Sequence, residues 1–495
     1  MFNFNKKEKK KKEKKKKEKI KNKKTKQKKK TQQKKKQVYK TPILSIRENI
    51  VFTNKAVWAY YVLAEKPYDF LSVGSKISLA NQTTQAMSSI VRRSDLPVDC
   101  HLLIVNNPFD PSDWEAQMIR NYNKWESQQK KLEQTSNFRL TQSREPFNRY
   151  IEETKIDLAY GGYQKRISYF GVKLFNRGSF DFDANPLEVG WEVAKDKWKS
   201  SLQQVFSIPD ERITEKEERR AAEAEKALFQ ILESGALKAK RPDTEELLLT
   251  MKRRYYPAMP VPYLEIDHKN RVGLSDLEIE SGGEIYVNPR NIKMVQMIDG
   301  QEFTGYRATF TFSSFPRNME IPSIFPPFFN RPSVLPFTCS SRFTLTPTEQ
   351  MKKEEGKKKL EAEDEISNLA SSGQSVNQNL RETLSDLNEM DRELTTRKEP
   401  WVTGSYKITV EGVSEEFINE TFAQMKQEFS ENDITLNWTS GDQLDLFREE
   451  QIGGEIMIKD FLHITNLAML SIAGINHGGS VGDPITEGHR SYKKR

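Results

Sequence analysis

Short apolar runs separated by stretches of helical spacing organise the first half of the chain. Residues 56–63, 100–106 and 166–175 are apolar and rich in β-branched and aromatic side chains, a composition typical of buried strands. Residues 75–91 and 187–205 carry apolar positions at helical spacing and predict helices. Strands and helices that alternate in this way predict an α/β or α+β first domain.

Capping residues and stop signals predict three more helices. Ser112 is followed by Glu115 at the spacing of a capping box, so a long helix is predicted to begin at Asp113. Residues 214–235 predict a helix that stops at a glycine, and residues 244–255 predict another that stops before a proline. The prolines that follow mark the end of the first domain.

The second half of the chain changes from strand patterning to helical patterning and then to a mixture. Residues 284–287, 306–312 and 337–344 predict strands. Residues 347–397 have helical spacing with charged faces and are interrupted by a Ser-Ser-Gly sequence, which predicts a helical hairpin that projects from the body. The last part predicts a strand at 406–410, a helix at 414–429 and a strand at 435–438.

These patterns together predict an α+β protein. A mixed α/β N-terminal body carries a helical hairpin insertion and follows a disordered Lys-rich arm. The predicted segments are the arm (1–40), an α/β domain (41–256), a β-containing segment rich in proline and aromatic residues (257–346), the helical hairpin (347–398) and a small α/β segment (399–495).

The N-terminal arm concentrates the positive charge of the chain. Its 40 residues hold 22 Lys and three Glu, a net charge of +19, so the formal charge of +9 for the whole chain leaves −10 on residues 41–495. A segment with so few apolar side chains cannot offset the entropy of ordering, so disorder is predicted. We expect a polyanion to meet the arm before the body, at stretches that include Lys14, Lys15, Lys16, Lys17, Lys28, Lys29 and Lys30.

Charge alone leaves three uses of this arm open. It can keep the chain in solution, attract nucleic acid, or attract an anionic membrane surface. Near an anionic leaflet each Lys contributes about 1 kcal/mol, so even part of the arm would matter. Nucleic acid offers the same charge, and composition does not separate the two.

The two cysteines show no disulfide or metal-ligand spacing. Cys100 and Cys339 lie far apart in the sequence, so a reducing, cytoplasmic environment is expected. Cys100 adjoins His101 in a predicted strand, where consecutive side chains point to opposite faces. A catalytic Cys–His pair is therefore not predicted.

Hydropathy gives no membrane span. The longest candidate, residues 467–475, is far shorter than the roughly 20 apolar residues that a membrane-spanning helix needs. The charged N-terminus is not followed by the apolar region of a secretory signal. We expect a cytoplasmic protein that is peripherally associated with the inner face of the cell membrane through partners or the arm.

The nearest approach to a phosphate-binding loop is at residues 482–491. In such a loop, glycine N–H groups cradle the phosphates, and an adjacent Lys and Ser/Thr contact the terminal phosphates and Mg²⁺. Here no Lys follows Gly488, and Asp483 and Glu487 would repel phosphate. The sequence therefore predicts no catalytic residues, no ATP hydrolysis and no cofactor in this chain.

The remaining candidate chemistry favours structural interpretations. His463, His477 and His489 lack the spacing of zinc ligands, so no metal site is predicted. Aromatic residues at 306–315 and 325–329 suit core packing better than a base-stacking surface. The Gly453–Gly454 pair is interpreted as a turn.

Several segments, in this order, resemble the large ATPases of conjugative transfer and type IV secretion machines, the TraE/TraC/TrsE-type proteins of Gram-positive conjugative elements. The resemblance covers most of residues 45–485. It is carried by Trp58, Ala59, Tyr60 and Tyr61 before Pro67, Tyr68, Asp69, Phe70 and Leu71; by residues 245–256; by residues 336–342, which end at Arg342; and by Glu399-Pro400, residues 442–447 with Gln443 and Phe447, and Val481-Gly482-Asp483.

The resemblance implies a docking and assembly role rather than catalysis. In the family, this region precedes an ATPase motor domain, which would use ATP and Mg²⁺, and we expect that domain to be missing here through truncation, a split gene or a frameshift. The implied partners are inner-membrane conjugation channel proteins and other copies of the chain. The alternative function is a stand-alone protein that binds nucleic acid through its basic tail.

Overall fold

In the computed structural model, the description below covers most of the chain beyond the arm. The described residues are 43–64, 71–94, 96–108, 111–135, 144–160, 164–177, 213–235, 237–260, 283–298, 300–316, 337–372, 375, 377–397, 399–467, 469–470 and 473–475.

One antiparallel sheet holds all twelve strands of the described residues. Ten strands follow the order β1-β2-β3-β5-β4-β9-β10-β8-β7-β6, while β11 pairs with β8 and β12 pairs with β10. The strands are β1 Ile43–Arg47, β2 Ile50–Thr53, β3 Ala56–Val62, β4 Val98–Pro108, β5 Gln164–Asn176, β6 Glu284–Val287, β7 Ile292–Ile298, β8 Gln301–Ser314, β9 Phe337–Thr346, β10 Trp401–Gly412, β11 Thr435–Asn437 and β12 His463–Thr465.

Nine helices of the described residues lie outside this sheet, and the predicted α+β class is confirmed. None of them combines the length and the apolar composition needed to cross a bilayer. The helices are α1 Val73–Ser94, α2 Pro111–Thr135, α3 Glu145–Tyr160, α4 Glu215–Ser234, α5 Thr244–Arg253, α6 Thr348–Ser371, α7 Gln378–Arg397, α8 Glu415–Ser430 and α9 Gln443–Glu450.

The sheet joins strands from three of the predicted segments. Strand β4 comes from the predicted α/β domain, β9 from the proline-rich segment and β10 from the last segment, yet they are direct neighbours. In the β4–β9 ladder, Val98 lies opposite Leu345. In the β9–β10 ladder, Trp401 lies opposite Thr346. Residues 42–495 accordingly form one compact unit.

The first face of the sheet packs against helices in the main hydrophobic core. Alternate residues of the central strands point to this face, because side chains along a strand alternate between its two sides. Helices α1, α4 and α8 cover it, and α4 begins with a capping box in which Thr214 and Glu217 bond each other's backbone. Representative core members are Leu102, Phe170, Leu228, Leu232, Phe310, Phe312, Ile408 and Phe429.

The second face has a smaller apolar cluster and a polar centre. Leu247, Leu248 and Met251 of α5 pack there against Trp58 and Tyr60 of β3. Helix α9 contacts β8 toward the other end of the sheet. Between α5 and α9, the face carries charged side chains that are described below.

Two helical hairpins leave the sheet at opposite ends. The hairpin of α2 and α3 connects Pro108 to Gln164, which are direct partners in the β4–β5 ladder. The hairpin of α6 and α7 connects β9 to β10, and its two helices pack on each other as the sequence predicts. Because β4 and β9 are antiparallel, the two hairpins begin at opposite ends of these neighbouring strands.

Several elements differ from the sequence-based expectation. The helix predicted from Asp113 is followed by a second helix, α3, that the sequence pattern did not indicate. Strands β1, β2 and β7 were also not predicted, because each is short or alternates only weakly. The helix predicted at 187–205 lies outside the described residues.

We predict that Leu232→Ala destabilises the fold by about 2–5 kcal/mol, because it leaves a cavity where α4 meets the first face of the sheet. Leu232 is fully buried. Leu360 of α6 is 61% exposed and provides the control. Leu360→Ala should change the free energy of unfolding by less than about 0.5 kcal/mol, and equal losses in urea denaturation would contradict the assigned packing.

Candidate functional site

A group of charged side chains is buried between the second face of the sheet and helix α9. We call it the buried charge cluster, and each member is less than a tenth exposed. Strands β8 and β10 place their members side by side, because Arg307 lies opposite Glu411 and Thr309 lies opposite Thr409 in the ladder. The cluster consists of Arg254, Arg307, Arg342, Lys407, Glu411, Glu449 and Glu450.

Two adjacent carboxylates at the end of α9 bind the cations of the sheet. Glu450 Oε1 accepts a hydrogen bond from Arg307 at 2.8 Å, and its other oxygen accepts one from the hydroxyl of Thr409. Glu449 pairs with Lys407 and also accepts the backbone N–H of Ile458 at 2.8 Å. These contacts hold α9 and the segment after it against the sheet.

The pKa values in the cluster reflect burial opposed by charge pairing. Burial alone would raise the pKa of Glu450, but Arg307, Arg254 and the Thr409 hydroxyl outweigh it and hold the pKa below the usual value of 4.5. Burial raises the pKa of Glu411 despite the nearby guanidinium of Arg307. Burial likewise lowers the pKa of Lys407 against the pull of Glu449.

A buried histidine links the cluster to strand β3. His101 Nδ1 lies 3.1 Å from both the Tyr60 hydroxyl and an Arg342 nitrogen, and its Nε2 lies 3.0 Å from Ser340 Oγ. Burial, together with nearby Arg342, lowers the pKa of His101 well below its usual range, so the ring is neutral. Arginine only donates, so Nδ1 accepts and the ring proton lies on Nε2, from which it is donated to Ser340.

This arrangement does not make Ser340 a nucleophile. A catalytic histidine accepts the serine proton at one nitrogen and donates from the other to a carboxylate. Here the nitrogen that faces Ser340 is the donor, and the other faces a cation. Ser340 and His101 are also buried, so the pair suits structural hydrogen bonding.

Gln443 completes the sheet where a strand is missing. Strand β7 pairs with β8 as far as Arg307, and β11 pairs with β8 from Thr311 onward. Between them, the Gln443 side-chain amide accepts the N–H of Thr309 at 2.9 Å and donates to its C=O at 3.0 Å. The amide therefore supplies the two hydrogen bonds that a neighbouring strand would supply.

The structure brings five of the resemblance positions to this one region. The Arg342 guanidinium lies 5.5 Å from the Trp58 ring, and Tyr60 bonds His101 beside it. Phe447 packs on the Arg307 guanidinium at 4.8 Å, on the same helix as Gln443. Leu71 borders a different feature, the groove described below. Pro67, Tyr68, Phe70, Gly482, Asp483 and the lysines of the arm lie outside the described residues.

Sequence reasoning missed most of the cluster itself. Lys407, Glu411, Glu449 and Glu450 were not singled out, and Arg254 and Arg307 were considered only as basic residues beside a possible base-stacking surface. One signal was present: Arg307, Thr309 and Thr311 alternate with buried apolar residues in β8, and β10 has the same pattern. That alternation indicates that each of these two strands has one apolar face and one polar face.

The other candidate groups are structural where they are described. Cys100 points to the hydrophobic core while His101 points to the second face, as predicted. Both cysteines are free and buried, and burial raises the pKa of Cys339 to about 12. His463 Nε2 donates to the carbonyl of Phe312. Among the described residues, no three His, Cys, Asp or Glu side chains are placed to hold a metal ion.

An open groove of about 1060 Å³ lies between helices α1 and α4. Its lining is mainly uncharged, and Lys238 is the charged side chain on it. Serine and glutamine side chains line much of the rest, among them Ser75, Ser78, Gln82, Ser89, Gln230 and Ser234. Among the described lining residues, this composition offers hydrogen bonds but no acid–base pair.

Comparison with known proteins adds no family to these observations. The chain matches no family model and no curated protein sequence.

We predict that Glu450→Gln lowers the free energy of unfolding by about 3–5 kcal/mol, because Arg307 and Arg254 lose the buried carboxylate between them. The folded-state pKa of Glu450 is depressed, so its contribution is present above about pH 4.5 and is lost as the pH falls through the folded-state pKa. The difference between wild type and variant should shrink accordingly in denaturation curves recorded from neutral to acid pH.

Glu420→Gln is the matched control for this substitution, because Glu420 lies exposed on α8. It should leave stability within about 0.5 kcal/mol of wild type at every pH. A Glu450→Gln variant as stable as Glu420→Gln would show that the cluster does not hold α9 in place.

Proposed function

We propose that this chain is a docking and assembly component of a conjugative DNA-transfer, type IV secretion machine, located in the cytoplasm at the inner face of the membrane. It binds inner-membrane channel proteins and other copies of itself, and ATP hydrolysis is performed by a motor domain outside residues 1–495. The order of the family-like segments along the chain supports this proposal. Two structural observations, described next, support a binding role rather than a catalytic one.

The observation that carries the proposal is an aromatic patch on the α2–α3 hairpin. It consists of Tyr122, Trp125, Phe147 and Tyr150. Tyr122 stacks on Phe147 at 4.1 Å between the helices, and Trp125 lies 5.6 Å from Tyr122. Trp125 is 37% exposed and Tyr150 is 52% exposed. Exposed Trp and Tyr side chains are the residue types that dominate the binding energy of protein interfaces.

Arginine adds a polar anchor to this patch. The Arg144 guanidinium lies 5.5 Å from the Tyr122 ring and donates to Asn123 at 3.2 Å. A preorganised guanidinium loses little conformational entropy when a partner binds it. The hairpin also leaves the sheet as a separate projection, so a partner can reach it without disturbing the core.

The interior chemistry supports a role without catalysis. Glu449 and Glu450 are paired with cations, and the Ser340–His101 hydrogen bond has the wrong polarity for nucleophilic attack. Three of the resemblance positions, Trp58, Arg342 and Gln443, lie in the same buried region. Their burial suits residues that stabilise the fold rather than residues that bind a substrate.

We predict that the double variant Trp125→Ala/Tyr150→Ala loses co-purification with the inner-membrane channel proteins and lowers conjugative transfer at least tenfold. Interface hot spots of these residue types contribute about 2 kcal/mol or more each. Because both side chains are exposed, the melting temperature of the purified chain should stay close to that of wild type.

The control carries alanine at two exposed apolar positions elsewhere, Leu360→Ala/Val413→Ala. It should retain both co-purification and transfer. Normal conjugative transfer by the aromatic double variant would contradict the docking assignment. Equal losses of transfer in both double variants would show that the effect is not specific to the α2–α3 hairpin.

The second candidate function is nucleic-acid binding through the arm, and the net charge of +19 on residues 1–40 favours it. Under the docking proposal, the arm strengthens attachment to anionic vesicles. Under the alternative, it binds duplex DNA with a steep dependence on salt. Both interactions should weaken toward about 0.5 M salt, where the Debye length is only a few ångströms.

We predict that, at low salt and equal ionic strength, the full chain binds anionic vesicles more tightly than it binds duplex DNA. Neutral vesicles should bind neither the full chain nor a chain that lacks residues 1–40. The body carries −10, so removal of the arm should turn attraction into weak repulsion. Tighter binding to DNA in sedimentation or anisotropy assays would favour the second function. Unchanged binding without the arm would exclude both uses of it.

A further inference from the structure

The buried charge cluster contains one more cation than carboxylates. Its cations are Arg254, Arg307, Arg342 and Lys407, and its carboxylates are Glu411, Glu449 and Glu450. Four positive charges against three negative charges leave an excess of one. Arginine does not lose its proton in proteins, so the three guanidinium groups stay charged across the physiological pH range.

Three of the four cations have a hydrogen-bond acceptor or an ion-pair partner among the described residues. Arg307 donates to Glu450 and to the carbonyl of Arg254 at 2.9 Å. Arg342 donates to two backbone carbonyls in the segment around the end of α9. Lys407 contacts Glu449.

Arg254 is the exception. It caps the end of α5 and its side chain is 5% exposed. None of its three guanidinium nitrogens has a hydrogen-bond acceptor among the described residues, and its nearest carboxylate oxygen, on Glu450, is 3.8 Å away and already accepts from Arg307. Within the described part of the cluster, Arg254 is therefore the cation whose guanidinium nitrogens all lack an acceptor.

An unsatisfied guanidinium at this depth has a large free-energy cost. Removing a charge from water costs several kcal/mol unless a counter-charge and hydrogen bonds replace the water. Arg307 and Arg342 also lie close enough to repel the positive charge on Arg254, against the attraction of Glu450. The surrounding positive charge increases the need for a negative partner.

We propose that Arg254 binds a small monovalent anion of the halide type, which completes the buried charge cluster. The negative charge follows from the guanidinium that the anion partners, and the small size follows from the burial of the side chain. The anion accepts hydrogen bonds from the Arg254 guanidinium and balances the field of Arg307 and Arg342. It thereby couples the end of α5 to α9, because Glu450 faces the same guanidinium.

Thermal denaturation of the full chain tests this assignment. The melting temperature should rise as chloride replaces gluconate at constant ionic strength, because a ligand that binds the folded state stabilises it by mass action. A shift of about 2 °C or more is expected as the site fills. Bromide should give the same shift, whereas gluconate is too large to occupy the site.

Arg254→Met should abolish this chloride dependence, because it removes both the charge and the donors while keeping a long apolar side chain. Arg290→Met is the matched control, since Arg290 is an exposed arginine that packs on Trp438. It should keep the wild-type chloride dependence. If Arg254→Met does not fold, Arg254→Lys keeps the charge with fewer fixed donors and should show a weaker dependence.

An independent measurement uses the unaltered protein. Crystals of the full chain grown in bromide should show anomalous scattering beside the Arg254 guanidinium. A wild-type melting temperature that is indifferent to chloride, equal chloride dependence in wild type and Arg254→Met, or a carboxylate of the chain in place of bromide would each overturn the proposal.

Discussion

The pairing of two neighbouring glutamates of α9 with cations of the sheet is the interaction on which the second face depends. Glu449 and Glu450 each bind a cation that belongs to a different central strand, Lys407 of β10 and Arg307 of β8. Desolvation of these charged groups has a large free-energy cost. Removal of a carboxylate or of its cation would therefore leave the remaining charge buried without a counter-charge. The position of α9, and with it the segment that returns to β12, follows from this pairing.

The arrangement also explains why so many resemblance positions lie far from any surface. Trp58 and Phe447 cover guanidinium groups with aromatic faces, and Gln443 satisfies the backbone of β8. Such residues have few acceptable replacements because each combines a shape with a polar contact. Their place in the resemblance is then accounted for by the interior contacts that they make.

Elements with strong local signals were predictable from the sequence. The helix after Thr214 carries a complete capping box, and β4 and β5 are apolar runs, so all three could be placed. The α+β class and the α6–α7 hairpin followed from the same signals. Strand β7 was not identified because its pairing with β8 depends on a chain reversal next to Gly300, which has a positive φ, rather than on its own composition.

The candidate site was far less predictable, because its contacts connect distant parts of the chain. Arg342 and His101 are 241 positions apart, and Gln443 reaches Thr309 across 134 positions. No periodicity in a single segment encodes such a meeting. The alternation of Arg307, Thr309 and Thr311 showed that one face of β8 is polar, but the partner that would cover it could not be read from β8 alone.

The way in which both hairpins are inserted has a consequence for how such a chain can change over time. Each leaves and re-enters the sheet at residues that already face each other, Pro108 with Gln164 and Thr346 with Trp401. A pair of helices can therefore be lengthened, shortened or exchanged without a shift in the register of any strand. Loop-closure entropy grows only slowly with length, so such changes carry little thermodynamic penalty. The pairing of the sheet is thus independent of the length of either helical hairpin.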